Sequence, residues 1–356
     1  MYDTVIVGGG LAGSCAALFL SLEERVLLLE AAYPAAGASG LGLGLVNPIT
    51  PRHGRLIWRG EAAVDALDEV LDRADARSLF RPMTILQPAA DQKQAGFFER
   101  SAQEYPEYTI WISPFEAAER FPGVHSEYGA IATDHGGTIE MPGLVGRLLR
   151  TAGKQGAEIV MGVRVEGWTE RSDHVEVLGQ CGDDPVVFQA RRLLLAIGAG
   201  YRDFPQTARL HLHSVKGQVV HVTGVSLPLG EDGPILSGSG YVKPSGATLI
   251  VGSSYEHSFS SLDPSPEQTR KILKKVSIMY PAIRDAEVIG EAAGIRVNVP
   301  VVRLPMVGRL PANERVWIFT ALGSRGTLLA PLLARSLPNF INGTERIPAE
   351  VRVNEC

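Results

Sequence analysis

Cysteine is scarce in this chain. Cys15, Cys181 and Cys356 are the only three in 356 residues, too few and too unevenly spaced for a disulfide framework or a zinc site. No metal is expected, and the cysteine usage suits a reducing, cytoplasmic setting. Long apolar runs are missing too. No stretch of about 18 apolar residues occurs, so no membrane span is expected. The chain opens MYDTVIVGGG, without a basic n-region or a small-residue cleavage site, so no secretory leader is expected. Basic clusters are rare. Lys and Arg total 34 against 39 Asp and Glu, for a formal net charge of −5, and the pI is near 5.9. Arg52, His53, Arg55 and Arg59 form the densest basic stretch, a local cluster and not the charged face a phosphate backbone calls for.

Apolar residues make up 45% of the chain and charged residues 21%, as in ordinary globular proteins. A chain this long exceeds one compact core and suits two interleaved domains. Glycine is frequent, at 39 residues, which points to many tight turns or to backbone that approaches a ligand closely. Residues 3–7 (DTVIV) read as a buried strand, 11–22 as a helix and 25–30 (RVLLLE) as a second strand, together a parallel βαβ unit. An amphipathic helix is expected over 60–79, with Ala63, Leu67, Val70 and Leu71 on one face, and another over 141–153. Strands are expected at 158–165, 174–178, 191–197 and 315–320, and a helix from about Leu328 to Leu337. Between these, 211–222, 241–244 and 248–252 alternate like an antiparallel sheet, followed by a helix at 264–279. The fold class expected is α/β (α+β): a Rossmann-like domain from 1–85, 136–210 and 290–356, with a mixed or antiparallel sheet domain from 86–135 and 211–289.

The βαβ turn reads Gly8-Gly9-Gly10-Leu11-Ala12-Gly13, which satisfies G-x-G-x-x-G. Gly8 permits the tight turn, Gly10 lets backbone approach a pyrophosphate, and Gly13 lets the helix pack on the sheet. The helix N-terminus offers N–H groups and partial positive charge to phosphate. Glu30 ends the next strand, near the usual distance of about 20 residues, where an acid accepts hydrogen bonds from ribose hydroxyls and disfavours a ribose phosphate. Next, where a further helix and strand would continue an NAD fold, the chain enters Gly37-Ala38-Ser39-Gly40 and more small residues. Backbone amides there can reach a second bulky part of the ligand, an isoalloxazine for example. A flexible surface loop is the other reading of the same residues.

Five stretches carry a family resemblance: VIVGGGLAGSCAA; GASGLGLGLVNP; SVKGQVVHV at 214–222; GYVKPSGATLIVGSSYE at 240–256; and GIRVNVPVVRLPMVG with ALGSRGTLLAP near the end. In these the chain resembles the D-amino acid oxidase superfamily of FAD enzymes, which includes glycine and sarcosine oxidases. SVKGQV, GSSYE, LPMVG and ALGSRG are most similar to the oxidase half of a bifunctional enzyme that matures a wobble uridine in bacterial tRNA. No counterpart of its methyltransferase half is recognisable, and VNVPVVRLPMVG lacks the acid expected ahead of LPMVG.

The resemblance implies FAD, held without a covalent bond, since neither Cys15 nor Cys356 falls in an attachment motif; His53 follows the flavin loop. It implies cofactor contacts from Gly8, Gly10, Leu11, Ala12, Gly13, Glu30, Ala31, Ala38, Ser39, Gly40 and Gly42, from the Val165 main chain at the adenine end, from Ala196, Ile197 and Gly198 near the pyrophosphate, and from Gly323, Ser324, Arg325, Gly326 and Thr327 at the flavin. It implies a substrate carboxylate clamp from Tyr241 and Arg296, with Arg325 in reach of ring or substrate. Arg presents a planar fork that matches a carboxylate. The expected reaction is oxidation of a C–N bond in a small amine or amino acid by hydride transfer to flavin N5, with no obligatory histidine. Two other readings stay open: a standalone oxidase acting on modified tRNA, and a non-enzymatic FAD-binding redox protein.

Overall fold

Thr4, Val5, Ile6 and Val7 leave no position for a solvent-facing side chain, and the strand they form, Tyr2–Val7, lies inside the sheet with parallel partners on both sides. Val26–Glu30 and then Glu158–Met161 extend the sheet one way. The end of Asp184–Leu195 and then Val316–Thr320 extend it the other way, all parallel, and Met306–Arg309 closes that edge antiparallel. The computed structural model describes residues 1–230 and 233–353, so Cys356 lies outside the described residues.

Alternation sets what each face meets. Ile6, Leu28, Leu194 and Phe319 pack under the helices Leu11–Leu20, Met141–Lys154 and Gly326–Asn342. Val5, Val7, Leu27, Leu29, Leu193 and Leu195 pack with Val163, Val165, Val175 and Val177. The latter four belong to an antiparallel meander, Val163–Glu170 and Val175–Cys181, joined to the first part of Asp184–Leu195. The span expected as one strand at 158–165 is two: Glu158–Met161 ends in the parallel sheet and Val163 starts the meander, with Gly162 at φ +76° between them.

A second sheet has eight strands in the order Glu287–Asn298, His213–Thr223, Thr248–Gly252, Tyr241–Ser245, Ile235–Ser237, Ile85–Pro88, Ala130–Thr133, Ile110–Ile112. Every pairing is antiparallel except that of Ile235–Ser237 with Ile85–Pro88. Helix Pro266–Val276 covers one face, where Ile272 and Val276 meet Val220, Val222, Val242 and Val251. The strand Glu287–Asn298 runs across the expected boundary at residue 290 and stays in this sheet. Leu43–Val46, Gly137–Glu140 and Phe80–Pro82 form a small separate sheet, in which Leu43 O accepts from Lys243 of the second sheet and Leu45 O from Thr327 of the last helix. The helix expected to reach residue 79 ends at Arg73; Arg77–Leu79 forms a separate short turn. The last helix begins at Gly326, a little before Leu328. Among the described residues no helix is long and apolar enough to cross a membrane.

The whole is a mixed α/β fold, a Rossmann-like sheet with an added antiparallel sheet.

Candidate active site

The first glycines answer to the protein's own backbone. Gly8 has φ +108°, and a Cβ on it would stand 2.5 Å from the Ala196 carbonyl oxygen. A Cβ on Gly13 would stand 1.9 Å from the Gly8 carbonyl oxygen. Gly10 is different: its nearest protein neighbour is Ser39 Oγ, at 3.5 Å from such a Cβ, an ordinary contact. No protein atom forbids a side chain at Gly10, so its bareness fits close approach by a ligand. Gly10 also caps Leu11–Leu20 without a side-chain hydrogen bond, although Leu11 N donates to Ser39 Oγ at 3.1 Å.

The Glu30 carboxylate is oriented from both sides. Gly9 N donates to Oε2 at 2.7 Å and Ala32 N to Oε1 at 2.9 Å. Each oxygen keeps further acceptor capacity for a sugar hydroxyl. Ala12 is buried in the helix, and Ala31, just past Glu30, is exposed. Ala196 N donates to Val7 O at 2.8 Å, which seats Ala196 against Gly8, and Gly198 at φ +50° opens the turn that follows. Val165 packs in one core with Val7, Leu29 and Leu195.

The second glycine run is one short turn, Ala38–Gly40, with Ala38 and Gly40 exposed and Ser39 half-buried. Gly42 has φ +84°, after which Leu43–Val46 pairs with Gly137–Glu140 in the small sheet. A Cβ on Gly44 would meet Met141 Sδ at 2.7 Å and Thr327 Cγ2 at 3.0 Å, and Thr327 Oγ1 donates to Leu45 O at 2.9 Å. This run is therefore fastened to the start of the last helix. Gly323, at φ +56°, donates its N–H to Val297 O at 3.0 Å, and a Cβ on it would meet Asn298 Oδ1 at 2.4 Å. Ser324 is exposed, and Arg325 caps Gly326–Asn342 without a side-chain bond. A Cβ on Gly326 would lie 3.6 Å from Leu11 Cδ2, so two helix N-termini come together here. Both bring positive dipole ends to one place. Burial holds the half-buried Arg325 guanidinium below its ordinary pKa, and Arg303 acts in the same sense.

Register assembles the other half of the site. Val215 faces Arg296, Gly217 faces Gly294, Val219 faces Gly252, and Gly252 faces Tyr241. Directly paired residues share a face, so Arg296 and Tyr241 look the same way across four strands. Both side chains lie over glycines. A Cβ on Gly217 would stand 1.8 Å from Arg296 Nη2, and one on Gly252 would stand 2.4 Å from Tyr241 Cζ. Arg296 Nη2 donates to Ser253 Oγ at 2.9 Å and Ser254 O at 3.4 Å, and its guanidinium stands 4.6 Å from the Tyr255 ring centre. Its Nη1 is buried and has no partner among the described residues. Burial pushes the Tyr241 phenol up to about 12, partly offset by the Arg296 charge, so it is a neutral donor at ordinary pH.

The same face carries groups that motif reading passed over: Gly217, Gly252, Ser253 and Lys243. Lys243 is 3% exposed, its Nζ donates to Leu43 O, and it stands 5.3 Å from the Tyr241 ring centre. It has no acid in ion-pair range among the described residues, and burial pushes its pKa down to about 8. The signal for these residues lay in cross-strand pairing, which one sequence does not display.

A dinucleotide cradle whose second glycine run faces a sheet bearing a half-satisfied guanidinium defines an FAD-dependent oxidoreductase. The family model described as DAO, FAD dependent oxidoreductase, matches residues 3–337, and the chain belongs to that family. Among its relatives is the tRNA 5-methylaminomethyl-2-thiouridine biosynthesis bifunctional protein MnmC of Idiomarina loihiensis, 27% identical over 353 residues, with 96% of this chain and 56% of that protein covered. The MnmC of Polaromonas naphthalenivorans is 28% identical over 392 residues, with 98% and 58% covered. The chain thus spans little more than half the length of these relatives. Similar solved structures include glycine oxidase from Geobacillus kaustophilus, with TM-score 0.82, 21% identity and 100% and 99% coverage. Iminodiacetate oxidase from Chelativorans sp. BNC1 gives TM-score 0.80, 20% identity and 99% and 100% coverage. At such identities the likeness is one of fold.

Proposed function

We propose that this enzyme oxidises the C–N bond of a small carboxylate-bearing amine or amino acid, with the carboxylate held by Arg296 and Tyr241. One observation carries the reading: Arg296 spends Nη2 on Ser253 and Ser254 while its buried Nη1 has no protein partner. A buried charged donor left unmatched is costly, and a carboxylate oxygen is its natural complement. Tyr241 adds a neutral hydroxyl on the same face. Bound FAD, held without a covalent bond, supplies the acceptor for the hydride that leaves the carbon beside the nitrogen.

The remaining roles belong to the chain. Leu11, Ala12 and the glycines Gly8, Gly10 and Gly13 offer backbone to the diphosphate, and Glu30 with Ala31 meets the ribose. Ala38, Ser39, Gly40 and Gly42 line the way to the ring. Gly323, Ser324, Arg325, Gly326 and Thr327 would hold the ring end of FAD, where their helix N-terminus and cation would favour negative charge. Val165, Ala196 and Gly198 flank the nucleotide. Residues 1–85, 136–210 and 290–356 hold the cofactor and 86–135 and 211–289 the substrate, with all of Glu287–Asn298 counted in the second group.

The direct test is anaerobic bleaching of the bound flavin by glycine, N-methylglycine, proline and iminodiacetate, beside amines that lack a carboxylate. Bleaching confined to the carboxylate-bearing compounds is expected. Indifference to the carboxylate would overturn the assignment. A second reading, an oxidase for a carboxymethylaminomethyl arm on tRNA, draws support from the MnmC relatives along nearly the whole chain. Its net charge of −5 argues against tight retention of tRNA. A gel-shift titration with modified tRNA separates the two.

A further inference from the structure

Two strings of the sequence, SVKGQV and GSSYE, are partners in space. Val219 pairs with Gly252, and Ser254 N donates to Gln218 O at 3.0 Å. Lys216 pairs with Glu256, each N–H donating to the other's carbonyl. Between the paired ends the chain takes four steps from Gly252 to Glu256 against three from Val219 to Lys216. The extra residue makes a bulge, and a bulge re-aims the side chains beside it. Ser253 and Tyr255 turn to Arg296: Ser253 Oγ accepts from Nη2 at 2.9 Å, and the Tyr255 ring centre lies 4.6 Å from the guanidinium. Ser254 and Glu256 turn to each other and to Lys216.

Lys216 and Gln218 alternate with Gly217, the bed of the guanidinium, so both lie on the face behind it. There Gln218 Nε2 donates to Thr269 Oγ1 of the helix Pro266–Val276 at 2.7 Å. Glu256 joins this back face to the clamp. Its Oε1 accepts from Ser254 Oγ at 2.8 Å, and that hydroxyl oxygen accepts from Gln218 N at 2.8 Å. Its Oε2 lies 3.8 Å from Lys216 Nζ, which also donates to Asp263 O at 2.6 Å. Lys216 is only 3% exposed, and a buried ammonium needs an opposite charge close by. Ser254 then passes the constraint forward, because its carbonyl accepts from Arg296 Nη2 at 3.4 Å.

We propose that Glu256 is a positioning residue for recognition of the substrate carboxylate. Paired with Lys216 and acting through Ser254, it fixes the turn of Ser253 and Tyr255 against Arg296. Nη2 then stays engaged by the protein, and Nη1 is the donor presented to the substrate. The proposal rests on Arg296 anchoring the carboxylate.

The experiment is a titration of the holoenzyme with propionate and with propionamide, followed by flavin absorbance. The two ligands have the same size and differ in the charged group. The wild type is expected to bind propionate at least about tenfold more tightly, as a charge-assisted bond implies. Glu256→Ala is expected to weaken propionate about 5- to 30-fold, leave propionamide within about twofold and retain FAD. Turnover of a carboxylate-bearing amine that bleaches the flavin should show the same loss in KM, with kcat within about threefold. Ser254→Ala cuts the link from its other end and serves if Glu256→Ala folds poorly. It should weaken propionate about 3- to 10-fold, and the double variant should be no worse than Glu256→Ala alone.

An unchanged affinity for propionate in the folded variants, with only the melting temperature lowered, would make the ion pair a brace for the fold and overturn the proposal. Equal loss of propionate and propionamide would overturn it too, since the whole site would have moved. A wild type that does not distinguish the two ligands would remove the Arg296 anchor and this proposal with it. The parent reading thus fails in the wild type, and the role of Glu256 alone fails in the variants.

Discussion

Gly217 makes room for Arg296: a Cβ at 217 would stand 1.8 Å from Nη2 of the guanidinium that lies across it. The strand His213–Thr223 therefore works as a bed for a side chain from its neighbour, and the glycine matters as much as the arginine. Gly217→Ala should push the guanidinium off the sheet. Its kcat/KM for the best carboxylate-bearing amine should fall about as far as that of Arg296→Ala. The double variant should be scarcely worse than either single one, because both changes remove the same interaction. Steady-state kinetics of the three proteins tests this, and losses that add in full would refute the shared origin.

Arg296→Ala should itself lower kcat/KM by about 10- to 1000-fold, or about 1.5–4 kcal/mol for a buried charged hydrogen bond. Arg296→Lys should recover little of it, since an ammonium cannot reproduce a planar fork. An unchanged kcat/KM in Arg296→Ala would remove the residue from the site. Tyr241→Phe should cost less, about 3- to 30-fold, as expected for one neutral donor.

Lys243 predicts a pH-dependent stability difference. Its pKa falls from 10.5 to about 8 on folding. Between those values the unfolded chain binds a proton that the native state does not, so the contribution of this group to stability rises with pH across that window. Below about pH 8 the native state carries a buried charge, at a penalty of about 1–3 kcal/mol. Lys243→Met should therefore melt above the wild type at pH 7, and the gap should close toward pH 10.5. Paired melting curves at pH 7, 8.5 and 10 check both the sign and the window.

Gly13→Ala is expected to disable the cradle, since the new Cβ would stand 1.9 Å from the Gly8 carbonyl oxygen and neither backbone can move freely. The purified variant should be colourless or should release FAD at least tenfold more readily. Gly10→Ala should fold and melt like the wild type when stripped of cofactor, yet bind FAD more weakly, because protein atoms leave room for that methyl. Fluorescence titration with FAD and melting of both apoproteins separate the two glycines.

The cradle was legible because its parts are local. A strand, three glycines, a helix and Glu30 fall within 30 residues, and backbone geometry dictates each glycine. Arg296 and Tyr241 are 55 positions apart, and nothing in their spacing links them; likeness of short strings named them, and strand order joins them. Gly217, Gly252 and Lys243 stood inside quoted strings, but their roles depend on which residue lies opposite in a neighbouring strand. Glu256 was out of reach for a further reason. Its partner Lys216 lies 40 positions earlier and reads as a solvated charge until its burial is known. The short strands and helices of 86–135 give too few periods for a pattern to emerge.

The long strand Asp184–Leu195 changes partners midway, pairing first with Val175–Cys181 and then, through Leu193–Leu195, with Val316–Ile318. During synthesis the nucleotide-binding end of the molecule must therefore wait, edge open, for a segment that leaves the ribosome more than 100 residues later. The turn at Gly323 and the last helix, Gly326–Asn342, arrive later still. Productive loading of cofactor is thereby deferred until those segments have emerged. A nascent chain stalled ahead of residue 316 would display the glycine fingerprint and still fail to turn yellow.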